Sequence, residues 1–440
     1  MTGLGIGLAM FAAMIALMAV RVPIAMAMFV PGAVGYVVLA GDHAWLSQLK
    51  GMAFARFSVH ELSVIPLFLL MGQFATHGGL SQALFRLASA LVGHFRGGLA
   101  MAAVLACAAF GTVCGSSVAT AATVTQVAMP EMRRWHYSGR LATAALAVGG
   151  TLGIQIPPSV ILIIYAILTE QNIAKLFAAA MLPALIAVIS YLITIYIYVR
   201  RHPEEGPAQP RHEPHEIVET LKEVWPVGAI FIAVFGGIYG GVFTPTEGAA
   251  IGAAMTLALG LVKRELTMAG IRESVVGAAQ TSGMIFMLFL GADMLNSALA
   301  LSQMPAQLAA VVANAGIAPL WIIGAILLLY IALGAVMDEL SMILLTIPVL
   351  FPAVMSLDLY GLNPTDKAIW FGILILGVVQ IGLVAPPVGL NVYVVNGMAR
   401  DVPMAETYRG VMPFLVADFI RVTLLLLFPA LSLYLVGVLT

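Results

Sequence analysis

The sequence GIQIPP at residues 153–158 returns as GLVAPP at residues 382–387, and this repetition decides the fold. Each copy follows an apolar segment with a polar, glycine-containing interruption, GTVCGSS at 111–117 and GAVMDE at 334–339. Four landmarks recur in the same order, 219 to 229 residues apart, which indicates a duplicated unit; the other two pairs are Pro23 with Pro245 and Gly72 with Gly291.

The composition requires a membrane setting. Of the 440 residues, 61% are hydrophobic and 9% are charged, whereas an ordinary soluble domain contains about 25% charged residues. The net charge of −1, without a basic groove pattern, excludes a nucleic-acid partner. Segment 1–20 lacks a basic start and a cleavage site, so we expect it to remain as a span. Cys107 and Cys114 lack metal-ligand spacing and are expected to be core residues.

Two kinds of interrupted helix are predicted among the spans. Segments 98–130 and 318–353 are long enough for two passes but contain polar residues in the middle, so we predict re-entrant helical hairpins. Segments 140–170 and 368–399 contain the double prolines and are predicted to be broken helices. A continuous span needs about 20 apolar residues, and such spans are expected at 4–20, 24–40, 61–76, 176–199, 225–242, 246–262, 273–300 and 411–438.

These segments predict an all-α polytopic membrane protein with two inverted-topology repeats, 1–199 and 224–440, joined by a cytoplasmic linker at 200–223. Five spans and one hairpin per half make the second half enter the membrane upside down. With the linker inside, 15 of the 20 Lys and Arg residues are cytoplasmic, in agreement with the positive-inside rule. Segment 41–60 is too polar to span and is expected to lie along the outer surface.

The breaks suggest cation sites. Proline lacks an amide hydrogen and leaves nearby carbonyl oxygens without helical partners, and such oxygens are suitable ligands for Na⁺. We expect each double proline to face the hairpin tip of its own half. The alternative is that these prolines and glycines only kink and pack the helices. The predicted sodium ligands are Gly115, Ser116, Ser117, Pro157 and Pro158 in the first half and Gly334, Asp338, Ala385, Pro386 and Pro387 in the second.

Helix N-termini at the tips carry partial positive charge and suit a substrate carboxylate. Its expected side-chain donors are Ser117, Thr120 and Asn391, because the predicted tips contain no arginine. Such broken, polar helices in matching positions of two halves are typical of a transporter.

Acidic residues within predicted spans are costly unless they are paired or bound to a cation. Asp338 either binds the cation or caps the return helix of its hairpin. Glu247 follows a Thr-Pro-Thr sequence and favours a helix start. Asp418 and Arg421, three residues apart, are expected to neutralise each other. In the linker, His202, His212 and His215 are spaced too irregularly to predict a metal site.

Five stretches in order resemble the large membrane subunit of tripartite ATP-independent periplasmic (TRAP) transporters: FGTVCGSSVATAATV, GIQIPPSVILIIYAILTE, FTPTEGAAIGA, GAVMDELSMILLTIPVLFP and GLVAPPVGLNVYVVNGMA. The resemblance implies sodium-driven uptake of an organic acid, commonly a carboxylate, across the bacterial inner membrane by an elevator mechanism. It also implies a periplasmic binding protein and a small four-helix membrane subunit. Because the chain begins directly with the first span, a separate small subunit is expected. Sodium would be the coupling ion, and no cofactor is expected.

Other classes are less consistent with the sequence. An enzyme is disfavoured because there is no HExxH or GxSxG motif and no histidine at predicted midplane depth. A channel is disfavoured because duplicated broken helices suit an occluded site better than an open pore. A stand-alone sodium:carboxylate symporter or ion antiporter with similar hairpins remains the alternative.

Overall fold

The computed structural model describes residues 3–314 and 316–439, which form twenty α-helices and no β-strand. Residues 1, 2, 315 and 440, which belong to the predicted repeats, lie outside the described residues. The first half contains α1 (Gly3–Ala19), α2 (Ile24–Ala40), α3 (Asp42–Phe57), α4 (Val64–His77), α5 (Leu80–Val92), α6 (Gly98–Cys114), α7 (Ser117–Arg134), α8 (Gly139–Gln155), α9 (Val160–Thr169) and α10 (Ile173–Arg201).

The second half repeats this order of elements. Six helices of the whole described chain are long and apolar enough to cross a membrane alone, or up to eight spans result if each of two bent helix pairs counts as one. The helices of the second half are α11 (Pro214–Tyr239), α12 (Pro245–Val262), α13 (Met268–Leu301), α14 (Met304–Asn314), α15 (Pro319–Gly334), α16 (Glu339–Met355), α17 (Pro364–Val384), α18 (Leu390–Met398), α19 (Met404–Leu427) and α20 (Ala430–Leu439).

Both predicted hairpins are present as helix–turn–helix elements, α6–α7 and α15–α16. The first turns at Gly115, whose φ of +65° lies in the left-handed region that glycine adopts without steric cost. Ser116 then caps α7 by accepting a hydrogen bond from the amide of Ala119 at 3.4 Å. At the second turn, Asp338 caps α16 in the same way, with the amide of Ser341 at 3.0 Å.

Both predicted broken helices are confirmed. α8 ends at Gln155 and α9 begins at Val160, while α17 ends at Val384 and α18 begins at Leu390. Ser159 caps α9 by accepting a hydrogen bond from the amide of Leu162. The Pro–Pro peptide bond is cis in each break.

In each half, the outgoing hairpin helix crosses the broken helix at a pair of glycines. A Cβ added at Gly111 of α6 would lie 2.9 Å from the Cα of Gly153 in α8. A Cβ added at Gly382 of α17 would lie 2.7 Å from the Cα of Gly334 in α15. Gly111 matches Gly334 in the repeat and Gly153 matches Gly382, so both halves contain the same close helix contact, which glycine permits.

The two halves contact each other reciprocally. α7 packs against α18, and the matching helices α16 and α9 pack together; α10 packs against α17, as α19 does against α8. Among the outer helices, α2 packs on α13 as α12 packs on α4. Reciprocal contacts of this kind are those that two units related by a two-fold axis would make. The inverted orientation in a membrane stays a prediction.

Three segment predictions need correction. The expected continuous span 411–438 is wrong, because α19 ends at Leu427 and α20 begins at Ala430. Pro429 disfavours helix at the preceding residue, and Phe428 accordingly leaves the helical region at φ −125° and ψ 80°. α11 begins at Pro214 within the predicted linker, so the irregular connection is shorter than expected. The connections 77–96 and 301–317, where no span or hairpin is predicted, each contain a helix, α5 and α14.

Candidate functional site

Four segments define the candidate site: tip 1 (115–117), tip 2 (335–339), break 1 (156–159) and break 2 (385–389). The two tips touch, since the hydroxyl of Ser117 donates a 2.9 Å hydrogen bond to Oε1 of Glu339. Ser117 is fully buried and Glu339 is 8% exposed. Each begins the return helix of its hairpin, and they are 222 residues apart, the spacing of the repeat. Equivalent residues of the two halves are therefore in direct contact at the tips.

Tip 1 lies directly against break 1. A Cβ added at Gly115 would lie 2.6 Å from the carbonyl oxygen of Pro158. A Cβ added at Gly153 would lie 2.6 Å from the carbonyl oxygen of Ser116 and 2.4 Å from the hydroxyl oxygen of Thr120. The expectation that the double proline faces the tip of its own half is therefore confirmed for the first half. Backbone and hydroxyl oxygens converge where the missing side chains of two glycines leave room.

The second half repeats this packing but is more open. Gly334 ends α15 and contacts Gly382, three residues before break 2. Pro386 and Pro387 are exposed, whereas Pro157 and Pro158 are buried. Ala385 is 9% exposed. The two breaks thus have similar helix packing, but the prolines of break 2 are exposed and those of break 1 are buried.

Three buried oxygen atoms on the elements of this site are poorly satisfied: Oδ1 of Asn391 and Oε2 of Glu339 have no hydrogen-bond partner, and the hydroxyl of Thr120 has only the thiol of Cys114, a weak donor, beside it. Thr120 and Asn391 are fully buried. The amide nitrogen of Asn391 donates to the carbonyl of Ala147 at 3.2 Å, which fixes the side chain of α18 against α8 of the other half. Because buried polar atoms are normally satisfied, this concentration of poorly satisfied acceptors is characteristic of a binding site for a donor or a cation.

Asp338 occupies the capping position that the sequence allowed as its alternative role. One carboxylate oxygen accepts from the Ser341 amide at 3.0 Å and the other from the Ser341 hydroxyl at 2.6 Å. Within the described residues, no hydrogen bond joins this carboxylate to break 2. Its role as a sodium ligand remains a prediction. Glu247 likewise forms a capping box with Thr244 at the start of α12, which confirms the helix-start interpretation.

Beside the breaks, a buried arginine joins three helices. Arg421 and Asp418 on α19 are each 1% exposed and form the predicted ion pair at 2.8 Å. The guanidinium also donates to Oε1 of Gln380 on α17 at 2.7 Å and to Oε1 of Gln155 on α8. The hydroxyl of Tyr191 on α10 donates to the Asp418 carboxylate at 2.9 Å. The guanidinium of Arg421 therefore joins α8 and α17, the helices that lead into the two breaks.

A second direct contact between the broken helices accompanies this network. The amide nitrogen of Gln380 donates to the carbonyl oxygen of Thr151 at 2.9 Å, and the two residues are 229 residues apart, the repeat spacing at the double prolines. This is again a contact between equivalent positions. The Ser117–Glu339 and Gln380–Thr151 contacts therefore both join equivalent positions of the two halves.

The surroundings of the two hairpins differ. In the first half, α5 packs directly on α6. In the second half, a cavity of about 730 Å³ lies between the hairpin and the helices α1 and α14. Its wall is almost entirely apolar and includes Phe11, Met14, Met304, Leu333 and Met337. In the second half α14 packs on the return helix α16 instead, and the cavity separates it from the outgoing helix α15.

The linker region contains a further group of polar side chains. His202, Glu204 and Glu205 have possible ligand atoms within 4.8 Å of one another. Glu205 accepts hydrogen bonds from Ser138 and Tyr198, at 2.6 and 2.7 Å, which fasten the linker to α10. The group lies at the surface, where acidic clusters commonly occur without a metal.

Sequence reasoning missed three residues that the structure places at or beside the site: Glu339, Gln155 and Gln380. Glu339 is the second acidic residue of the sequence MDE, and the sequence analysis assigned a role to its neighbour Asp338 instead. The two glutamines are lone amides in otherwise apolar helices, just before each double proline. That position was the available signal, because an amide in an apolar helix requires hydrogen-bond partners.

Comparisons with known proteins concern nearly the whole chain. Residues 11–431 match the family model described as "Tripartite ATP-independent periplasmic transporter, DctM component". The chain is 33% identical over 391 residues to the C4-dicarboxylate TRAP transporter large permease protein DctM of Pseudomonas aeruginosa, covering 88% of this chain and 89% of that protein. It is 30% identical to the sialic acid TRAP transporter large permease protein SiaM of Vibrio cholerae, covering 85% and 86% respectively.

Another similar protein is the ectoine/5-hydroxyectoine TRAP transporter large permease protein UehC of Ruegeria pomeroyi, 29% identical with 97% of each chain covered. Among solved structures, the YdaH transporter of Alcanivorax borkumensis superposes with a TM-score of 0.57, over 88% of this chain and 89% of that chain. The sequences are 14% identical, so this likeness concerns the fold alone.

Proposed function

The chain belongs to the DctM component family of tripartite ATP-independent periplasmic transporters, and we propose that it takes up an organic acid, as its carboxylate, by coupling to sodium ions. As a large permease subunit, it is a multi-pass membrane transporter and not an enzyme. The observation that carries the proposal is a set of poorly satisfied buried oxygens: Oε2 of Glu339 where the hairpin tips meet, the hydroxyl of Thr120 on α7 and Oδ1 of Asn391 on α18. Oxygen-rich sites without basic side chains favour hard cations.

The same site accounts for a carboxylate substrate. α7 and α16 begin at the touching tips, so the partial positive charge of two helix N-termini is directed to one place. The hydroxyls of Ser117 and Thr120 and the amide of Asn391 supply neutral polar groups nearby. The names of the relatives include C4-dicarboxylates and sialic acid, which supports an organic acid as the substrate class.

Sodium would bind where carbonyl oxygens are released by the double prolines. Gly115, Ser116 and Ser117 with Pro157 and Pro158 supply the first proposed site, and Gly334 and Asp338 with the segment 385–387 supply the second. The close approach of Gly115 to the Pro158 carbonyl supports the first of these sites.

For the transport cycle, we propose an elevator movement of inverted repeats. The reciprocal packing of the two halves supports a two-fold relation between them. The prolines of break 2 are exposed and an apolar cavity lies beside the second hairpin, whereas break 1 is buried. This difference between the halves supports two alternating arrangements of one duplicated unit. The outgoing helix α15, which is separated from α14 in this arrangement, would pack against it in the other, as α6 packs against α5.

The family description also supports the proposed partners and location. A tripartite periplasmic transporter implies two further components, which we take to be a small four-helix membrane subunit and a periplasmic substrate-binding protein. The chain would act in the bacterial inner membrane, surrounded by lipid.

The proposal is tested in vesicles that contain the purified membrane components, with and without the binding protein and a sodium gradient. We expect accumulation of a C4-dicarboxylate or another organic acid only when both are present. Accumulation without a sodium gradient would contradict the coupling. Undiminished accumulation without the binding protein would instead favour a stand-alone symporter.

A further inference from the structure

Glu339 is a buried carboxylate without a cationic partner. It is 8% exposed, one carboxylate oxygen accepts a hydrogen bond from the Ser117 hydroxyl, and the other is buried without any partner. Within the described part of the chain, the charged group that acts on it is Asp338, which carries the same sign. Lys, Arg and His form no ion pair with it among the residues that the structure describes.

Such an environment is unfavourable for an ionised side chain. A carboxyl group removed from water stays ionised only when it is paired with a positive charge or coordinates a metal ion, and otherwise it takes up a proton. Hydrogen bonds from the neutral hydroxyl of Ser117 and from the backbone amide of Glu339 itself replace only part of the lost hydration. By contrast, Asp418 is equally buried and has both Arg421 and Tyr191 as partners. The chain therefore supplies a counter-charge for one buried acid and leaves the other without one.

The oxygens around Glu339 match the requirements of a small hard cation. The hydroxyl of Ser117 is already 2.9 Å from the carboxylate. Thr120 lies three residues further along α7, on the same helix face, and its buried hydroxyl oxygen has only the weak thiol donor of Cys114 beside it. Carboxylate and hydroxyl oxygens are ligands for hard cations, and none of these side chains is a nitrogen or sulfur donor.

We propose that Glu339 is the charged ligand of a sodium site shared between the two hairpin tips, with Ser117 and Thr120 as its neutral ligands. This inference rests on the proposed sodium coupling. The site shares Ser117 with the first of the two tip-and-break sites, each of which is built within one half, and adds Glu339 from the other half. Its ligands come from both halves, so the bound ion would hold the two tips together.

The charge of Glu339 also explains how sodium and substrate are coupled. An empty site presents a carboxylate next to the hydroxyls of Ser117 and Thr120, and this carboxylate repels an organic anion. A bound sodium ion neutralises this carboxylate, and the partial positive charge of the helix N-termini then dominates the electrostatic field at the site. The substrate then binds only after the ion, without a dedicated arginine.

The test measures sodium binding by the purified full chain in detergent, without substrate or binding protein. The thermal unfolding midpoint is followed against NaCl concentration while choline chloride keeps the ionic strength constant. Because loss of a charge-assisted ligand weakens a site about tenfold to hundredfold, E339Q is expected to raise the half-saturating sodium concentration by that factor. Glutamine still accepts the hydrogen bond from Ser117, so folding is expected to be retained.

E247Q is the matched control, since it makes the same change at the start of α12, where the carboxylate only caps the helix. It is expected to leave the sodium dependence unchanged. S117A, which removes a neutral ligand, is expected to weaken the site less than E339Q does. An E339Q protein with the sodium dependence of the wild type would overturn the shared site and leave the proposed coupling intact. A wild-type chain without any sodium effect would overturn both.

Discussion

Removal of the Arg421 guanidinium should destabilise the core between the two breaks. In R421M, the carboxylate of Asp418 keeps only the hydrogen bond from Tyr191, and the oxygens of Gln155 and Gln380 lose their donor. Breaking a buried ion pair by removal of one partner costs about 3–5 kcal/mol. Both charged side chains are 1% exposed, so screening by solvent reduces this little. We therefore expect the free energy of unfolding to fall by about 3–5 kcal/mol.

The assay is reversible unfolding in mixed detergent micelles, followed by tryptophan fluorescence and circular dichroism. R400M provides the control, because Arg400 is exposed and bonds only within its own turn. The double variant R421M/D418L separates charge from packing. Replacing a buried pair by apolar residues is often neutral, so the double variant should be more stable than R421M alone. Wild-type stability in R421M, or a double variant that is no more stable than the single one, would refute the electrostatic argument.

Two other features give direct tests. G382A adds a Cβ that would lie 2.7 Å from the backbone of Gly334, and overpacking of this kind costs about 1–3 kcal/mol of stability. The control G397A has no atom within 4 Å of its added Cβ and should be about as stable as the wild type. Equal stability of the two variants would show that the fold does not require the glycine contact. For the inverted topology, single cysteines at positions 212 and 309 are treated with an impermeant thiol reagent in intact cells. We expect labelling at 309 only, and labelling at 212 without 309 would exclude this orientation.

Much of the fold follows from local sequence chemistry. Glycine, proline and polar residues within apolar runs disturb a helix at their own position, so the turn at Gly115 and the breaks at Pro157 and Pro386 are encoded where they occur. The same logic was overlooked at Pro429, which divides the last predicted span. The repeat itself is a property of the sequence, and it correctly paired Gly111 with Gly334 and Gly153 with Gly382.

The sequence by itself therefore determined the class of protein, the hairpins, the breaks and the family. Only the tertiary structure decided which residues of the two halves meet. Local preferences extend over a few residues, whereas Ser117 with Glu339 and Thr151 with Gln380 are joined across more than 200 residues by the way the halves interlock. The partners of Arg421 were equally hidden, because an arginine in an apolar helix predicts that partners exist without saying which helices supply them. In the same way, only the packing shows that Glu339 is buried beside the Ser117 hydroxyl without a cationic partner.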